Sequence, residues 1–242
     1  MGKLTVVGIG PGNAENLTLL ADQVLARCEV IVGYQVYVDL VKGRYPDKEY
    51  IATAMTREVD RCRMALDAAA ERDVAMVCSG DSGIYGMAGL LYELRGESDT
   101  PALEVVPGLT AACSGAALLG APLTHDFAVI SLSDRLTAWE TIEKRLAAAA
   151  AADLTLVLYN PASHGRPDHL SRACQVLLRT LPPQRPCGVV RNIGREGEQW
   201  QVLSLEALQA YPADMFCTVF IGNAAARVIA GKLVTPRGYR HV

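Results

Sequence analysis

Hydrophobic and polar positions along this chain follow two rhythms. Short unbroken apolar runs edged by glycine predict buried strands, and apolar positions recurring every three or four residues predict helices. Residues 4–8 read as a first strand and 18–28 as a helix with Thr18 near its cap. Residues 30–33 read as a second strand, 57–72 as an amphipathic helix and 74–79 as a strand. A helix over 84–94, a strand over 103–106 and a helix over 109–119 follow. Strands separated by helices imply a mostly parallel sheet covered on both faces.

Near Gly120-Ala121-Pro122 the pattern restarts. Strands are expected over 127–133, 154–159, 187–191, 200–203 and 216–222, and helices over 138–152 and 168–180. The turns are shorter here and the strand directions are expected to be mixed. The reading is two α/β domains, residues 1–120 and 121–242.

Composition narrows the function classes. A net charge of -3 offers no basic field for nucleic acid. No apolar run reaches the roughly 20 residues that span a bilayer. The amino terminus runs into a strand without a secretory pattern, so a cytoplasmic protein is expected. The seven cysteines include no Cys-x-x-Cys pair and read as small buried hydrophobes rather than disulfides or a zinc site. Eighteen of the 23 basic residues are Arg, which suits recognition of carboxylates or simply follows a GC-rich genome.

Three glycine-rich loops carry the candidate chemistry. Gly8-Ile9-Gly10-Pro11-Gly12-Asn13 follows the first strand but departs from the dinucleotide fingerprint. Asn13 stands where that pattern wants Gly or Ala, Pro11 removes a backbone N–H, and no acidic residue ends the second strand. Gly80-Asp81-Ser82-Gly83-Ile84-Tyr85-Gly86 bares the backbone beside a carboxylate. Asp81 there suits a ribose diol or an amino group, or else serves as a helix N-cap. In Pro107-Gly108-Leu109-Thr110-Ala111, Thr110 caps a helix or meets a ligand. Together the loops describe a cleft for a polar cofactor that carries no phosphate.

In this order the three loops resemble those of the tetrapyrrole (class III) methyltransferases. Further stretches resemble the precorrin-3B or cobalt-precorrin-3 C-17 methyltransferases: Gly33-Tyr34, the 79–89 loop, residues 119–127 with His125-Asp126, residues 130–134, Tyr159-Asn160-Pro161 and residues 235–239. The wording of 82–89 is closer to the anaerobic, cobalt-early branch. The resemblance implies a kidney-shaped homodimer with S-adenosyl-L-methionine in an interdomain cleft and S-adenosyl-L-homocysteine as product. Cofactor contacts would come from Pro11, Gly80, Asp81, Ile84, Thr110, Ala111, Tyr159, Asn160, Gly222 and Asn223. The activity implied is methylation of ring carbon 17 with ring contraction.

Ring contraction requires proton transfer, and His125 with Asp126 is the expected acid–base pair. A backbone-bonded hinge histidine is the alternative. Ser131, Ser133, Asp134 and Arg135 are expected to line the substrate trough. Arg135, Arg166, Arg191 and Arg237 are expected to meet its acetate and propionate arms. Of the remaining histidines, His164, His169 and His241, the first two are spaced i, i+5, which does not place both on one helical face and suggests no metal site. Competing readings are a methylase for another tetrapyrrole carbon, a diphthine synthase-like protein methylase, and a non-catalytic nucleotide-binding module.

Overall fold

The computed structural model describes residues 2–239, so His241 lies outside the described residues. Contacts divide the chain into two units, residues 1–111 and 112–242.

The first unit contains β1 (Lys3–Gly8), α1 (Leu19–Arg27), β2 (Val30–Tyr34), α2 (Gln35–Lys42), β3 (Glu49–Thr53), α3 (Glu58–Ala68), β4 (Val74–Cys78), α4 (Ala88–Arg95) and β5 (Ala102–Val106). Its five strands lie in the order β3-β2-β4-β1-β5 and every pair is parallel. Alternate residues serve opposite faces, as the pleat requires. Leu4, Val6, Val74 and Met76 join Cys62 and Leu91 from α3 and α4. Val7, Ala75 and Val77 join Leu25 and Val38 from α1 and α2. Both faces are covered, and all five carboxyl ends meet at one edge.

Thr18 caps α1, its Oγ1 accepting from the Ala21 N–H at 3.1 Å. The helix expected over 84–94 begins only at Ala88, because residues 82–87 are spent on a tight loop. The sequence pattern missed α2 and β3. Helix α2 follows β2 without a break, and β3 is a half-exposed strand with no run of buried residues.

The second unit begins within α5 (Ala111–Leu119). Then come β6 (Gly120–Ala121), β7 (Phe127–Ser131), α6 (Trp139–Ala151), β8 (Thr155–Tyr159), α7 (His169–Leu177), β9 (Pro186–Arg191), β10 (Gln199–Ser204), α8 (Leu205–Leu208), β11 (Cys217–Ile221), β12 (Arg227–Ile229) and β13 (Lys232–Val234). The expected boundary near residue 120 moves back to the start of α5. That helix packs in the second unit, where the Ala112 N–H meets the Tyr159 hydroxyl and Gly115 lies against the Phe220 ring.

The main sheet of this unit runs β10-β9-β11-β8-β7. Strands β7 and β8 are parallel, while β11 runs against both β8 and β9 and β10 runs against β9. The directions are therefore mixed, as the sequence suggested. Ile142, Leu146, Leu156, Leu170, Leu177 and Val219 build its core. All the cysteines except Cys113 are buried. Burial pushes the thiols of Cys62 and Cys174 up to about 12, which makes them inert hydrophobes. No helix among the described residues is long and apolar enough to cross a membrane.

Candidate active site

In the first unit the three glycine loops close on one another at the carboxyl edge of the sheet. Gly10 and Gly80 form an isolated antiparallel bridge, both with φ +69°. Gly108 fits because it lacks a side chain: a Cβ there would stand 2.1 Å from the Gly80 carbonyl oxygen. The buried Ser82 hydroxyl donates to the Val106 carbonyl at 2.9 Å, tying the second loop to the third.

Asp81 holds the same junction. Its Oδ1 accepts from the Gly83 and Ile84 N–H groups at 2.8 and 3.0 Å, and its Oδ2 accepts from the Gly108 N–H at 2.9 Å. The N-cap alternative for Asp81 is thereby excluded, since α4 starts at Ala88 with Met87 before it. The carboxylate organises the loops and keeps lone pairs for further donors. Beside it Tyr85 adopts φ +54° and is 56% exposed, as is much of Ile84 at 42%. A non-glycine residue held in that region stores strain of the kind that gathers at ligand sites.

No Lys or Arg occurs in residues 8–13, 80–86 or 107–111. The loops offer main chain and one carboxylate, a set that suits a zwitterionic nucleoside and gives a phosphate no cation.

In the second unit a polar cluster gathers at the carboxyl ends of β7 and β8. Asn160, with φ +53°, donates from Nδ2 to Ser131 Oγ at 2.9 Å. Ser133 Oγ accepts from Arg166 Nη1 at 2.6 Å. Asp134 stands 3.7 Å from Arg166 Nη1 and 3.2 Å from His169 Nε2. The His169 contact has the separation of an ion pair without the alignment of a hydrogen bond. Desolvation raises the Asp134 carboxyl, but His169, its own backbone N–H and Arg166 outweigh this and hold it below the usual range. His169 itself is buried, edge-on to Trp139 at 5.1 Å, and Arg172 covers that indole at 4.0 Å. Arg135 is exposed on the same loop.

The sequence reading placed Ser131, Ser133, Asp134 and Arg135 in one group, and the fold does bring them to one edge. It missed His169 as their neighbour. The i, i+3 step from Arg166 to His169, leading from a loop into a helix, was the signal available.

Other expected partners are separated. His125 and Asp126 precede β7, at the opposite end from Ser131–Asp134. The five residues of that strand rise roughly 16 Å. His125 Nε2 lies 3.1 Å from the Pro236 carbonyl, the geometry of the backbone-bonded alternative. Arg237 donates to the Thr124 carbonyl at 2.9 Å beside it. Gly222 and Asn223 follow β11, which runs antiparallel to β8. They therefore sit at the amino end of β8, where Ala224 N–H meets Asp153, while Tyr159 and Asn160 end that strand. Arg191 is engaged by Asp214 at 2.7 Å. Among the described residues no three His, Cys, Asp or Glu are placed to hold a metal.

A family model described as Tetrapyrrole (Corrin/Porphyrin) Methylases matches residues 3–209. The chain belongs to this family. It is 45% identical to the probable cobalt-factor III C(17)-methyltransferase of Salmonella typhimurium, over 98% of this chain and 99% of that one. It is 41% identical to the cobalt-factor III methyltransferase of Priestia megaterium, over 99% of this chain but only 45% of that longer protein. The crystal structure of the methyltransferase CobJ superposes with a TM-score of 0.91 at 37% identity, covering 98% of this chain and 100% of that one. The glycine loops and the polar cluster described above lie inside the matched region, so both belong to the tetrapyrrole methylase fold.

Proposed function

We propose that this tetrapyrrole methylase transfers the methyl of S-adenosyl-L-methionine to carbon 17 of a precorrin-3-type tetrapyrrole, with ring contraction, in cobalamin biosynthesis. The cobalt-bound substrate of the anaerobic branch is favoured, since the two relatives described are both named for cobalt-factor III. The observation that carries the reading is the interlocked set of phosphate-indifferent loops around Asp81, in a chain of this family.

When bound, S-adenosyl-L-methionine supplies both the methyl and its own leaving group. The protein has to hold, orient and dry it. Pro11, Gly80, Ile84, Thr110 and Ala111 present main chain at the carboxyl edge of the first sheet, with Asp81 fixing their spacing. On the second unit the reading takes the Tyr159–Asn160 end of β8. Gly222 and Asn223, at the other end, form a separate group.

The tetrapyrrole's carboxylate arms suit Arg166 and Arg135, with Ser131 and Ser133 as neutral hydrogen-bonding partners. Proton transfer during contraction is assigned to Asp134 with His169, because they stand at that same edge. The assignment replaces His125 and Asp126, which the strand carries away from it. A homodimer is the proposed assembly, measurable by light scattering.

The test is mass spectrometry of turnover with cobalt-factor III, cobalt-precorrin-3 and metal-free precorrin-3B. One added methyl on the cobalt-bound ring supports the proposal. Methylation of a protein acceptor, or of no tetrapyrrole, overturns it.

A further inference from the structure

Arg61, in the second turn of α3, is 5% exposed. Its Nε donates to Thr53 Oγ1 at 2.8 Å and its Nη2 to the Ala54 carbonyl at 3.1 Å. The guanidinium carbon lies 5.9 Å from the centroid of the Tyr34 ring. Among the described residues no carboxylate comes within ion-pairing distance of it. Its neighbour Asp60 is taken by Arg57 at 2.5 Å. The other arginine buried among the described residues, Arg185, does have an acid, Asp153 at 3.6 Å.

A buried cation without an anion is costly, and two neutral acceptors and a ring face solvate it without neutralising it. The bonds to Thr53 and Ala54 use Nε and one N–H of Nη2. They leave Nη1 and the second Nη2 N–H as a parallel pair, the fork that grips a carboxylate. Nη1 is not among the buried polar atoms that lack a partner, so the fork is not sealed off.

The position is as telling as the charge. Tyr34 ends β2 and Thr53 ends β3, so Arg61 sits at the carboxyl edge of the same parallel sheet that carries the glycine loops. Strand β3 is two places from β4, whose loop holds Asp81. At about 4.8 Å per strand the seat stands roughly 10 Å along the edge from that loop. Such an offset suits a peripheral arm of a macrocycle rather than the cofactor. Ligands in open parallel sheets collect at this edge.

We propose that Arg61, steadied by Thr53 and the Tyr34 ring, binds one acetate or propionate carboxylate of the tetrapyrrole substrate. The inference rests on the substrate reading above. It adds a residue the sequence had left inside an amphipathic helix.

The experiment titrates uroporphyrin III, followed by fluorescence, into the wild type and the Arg61→Gln, Arg61→Lys and Thr53→Val variants. S-adenosylhomocysteine is titrated in parallel by calorimetry. Arg61→Gln should weaken uroporphyrin binding at least about tenfold, and Arg61→Lys, which keeps charge but loses the fork, by less. Thr53→Val, which removes one of the two acceptors that hold the guanidinium, should weaken uroporphyrin binding by less than Arg61→Gln does, and all should bind S-adenosylhomocysteine within about twofold of the wild type. Relieved of an unpaired buried charge, Arg61→Gln should melt no lower than the wild type. A fall in melting temperature with uroporphyrin affinity unchanged would mean that Arg61 only ties β3 to α3, and would overturn this proposal while leaving the methyltransferase reading intact. A wild type that binds S-adenosylhomocysteine but neither uroporphyrin III nor cobalt-factor III would overturn both.

Discussion

Gly10 and Gly80 exchange both of their backbone hydrogen bonds, at 3.0 Å from Gly10 N–H to Gly80 O and 2.7 Å in return. This pairing continues the contact of β1 and β4 beyond the strands themselves. It fixes the first loop on the second, so main-chain groups that would wander in isolated loops are held in one array before a ligand arrives. Preorganisation of this kind lowers the ordering cost of binding.

The two kinds of glycine constraint predict unequal effects. Gly80→Ala forces φ +69° on an alanine, but its Cβ would meet nothing closer than 3.7 Å. The expected cost is about 1–2 kcal/mol. Gly108→Ala drives a methyl to 2.1 Å from the Gly80 carbonyl oxygen and 2.6 Å from the Gly8 carbonyl carbon. Backbone must move there, and the expected loss is beyond about 3 kcal/mol with S-adenosylhomocysteine binding abolished. Urea unfolding and calorimetry on the two variants check the order, and equal effects would count against the interlock.

Asp81→Asn retains an oxygen for Gly83 and Ile84 but turns an amide nitrogen toward the Gly108 N–H. Two donors then face each other. The expected destabilisation is about 1–3 kcal/mol, with weaker cofactor binding. Unfolding curves with and without S-adenosylhomocysteine separate the two contributions.

The two ends of β7 give opposite forecasts. Asp134→Asn should lower turnover of the tetrapyrrole at least about tenfold while leaving S-adenosylhomocysteine affinity unchanged. His125→Gln, at the far end and bonded to the Pro236 carbonyl, should retain most of the turnover. Steady-state kinetics on both variants decide this, and the reverse ranking would restore His125 as the acid–base residue.

Acid stability has a readable sign at Asp214. Desolvation raises this carboxyl, but the Cys217 thiol, the Phe216 N–H and the paired Arg191 outweigh it and hold it below the usual range. The folded chain therefore binds this proton later than the unfolded chain as pH falls. Its contribution is full above the unfolded carboxyl's pKa of about 3.9 and is lost as pH falls through the lower folded value. Asp214→Asn should flatten the loss of melting temperature below about pH 4. Melting curves from neutral to acid pH test it, and an unchanged slope would assign the acid sensitivity elsewhere.

Much of the fold was legible in the sequence because buried strands such as Val74–Cys78 are continuous apolar runs that glycine terminates. Edge elements were not: Glu49–Thr53 mixes exposed and half-buried positions, so no period marks it. The loops were legible for a similar reason, since backbone packed on backbone at Gly8 and Gly108, and the φ of +69° at Gly80, demand glycine. A sheet of mixed direction was expected, but which strand reverses was not legible. Nothing in residues 216–222 announces that β11 runs against β8, and that reversal is what separates Gly222–Asn223 from Tyr159–Asn160. His169 and Arg61 were hidden by their helices, whose periodicity says which residues turn inward but not which polar groups they meet.

Calorimetric titration of the wild-type protein with S-adenosylhomocysteine, ATP and NAD in separate runs puts the loop chemistry to its plainest test. The account predicts saturable one-to-one binding of S-adenosylhomocysteine with ATP and NAD at least about a hundredfold weaker, for want of any cation in the three loops. Binding of ATP or NAD as tight as that of S-adenosylhomocysteine would contradict it.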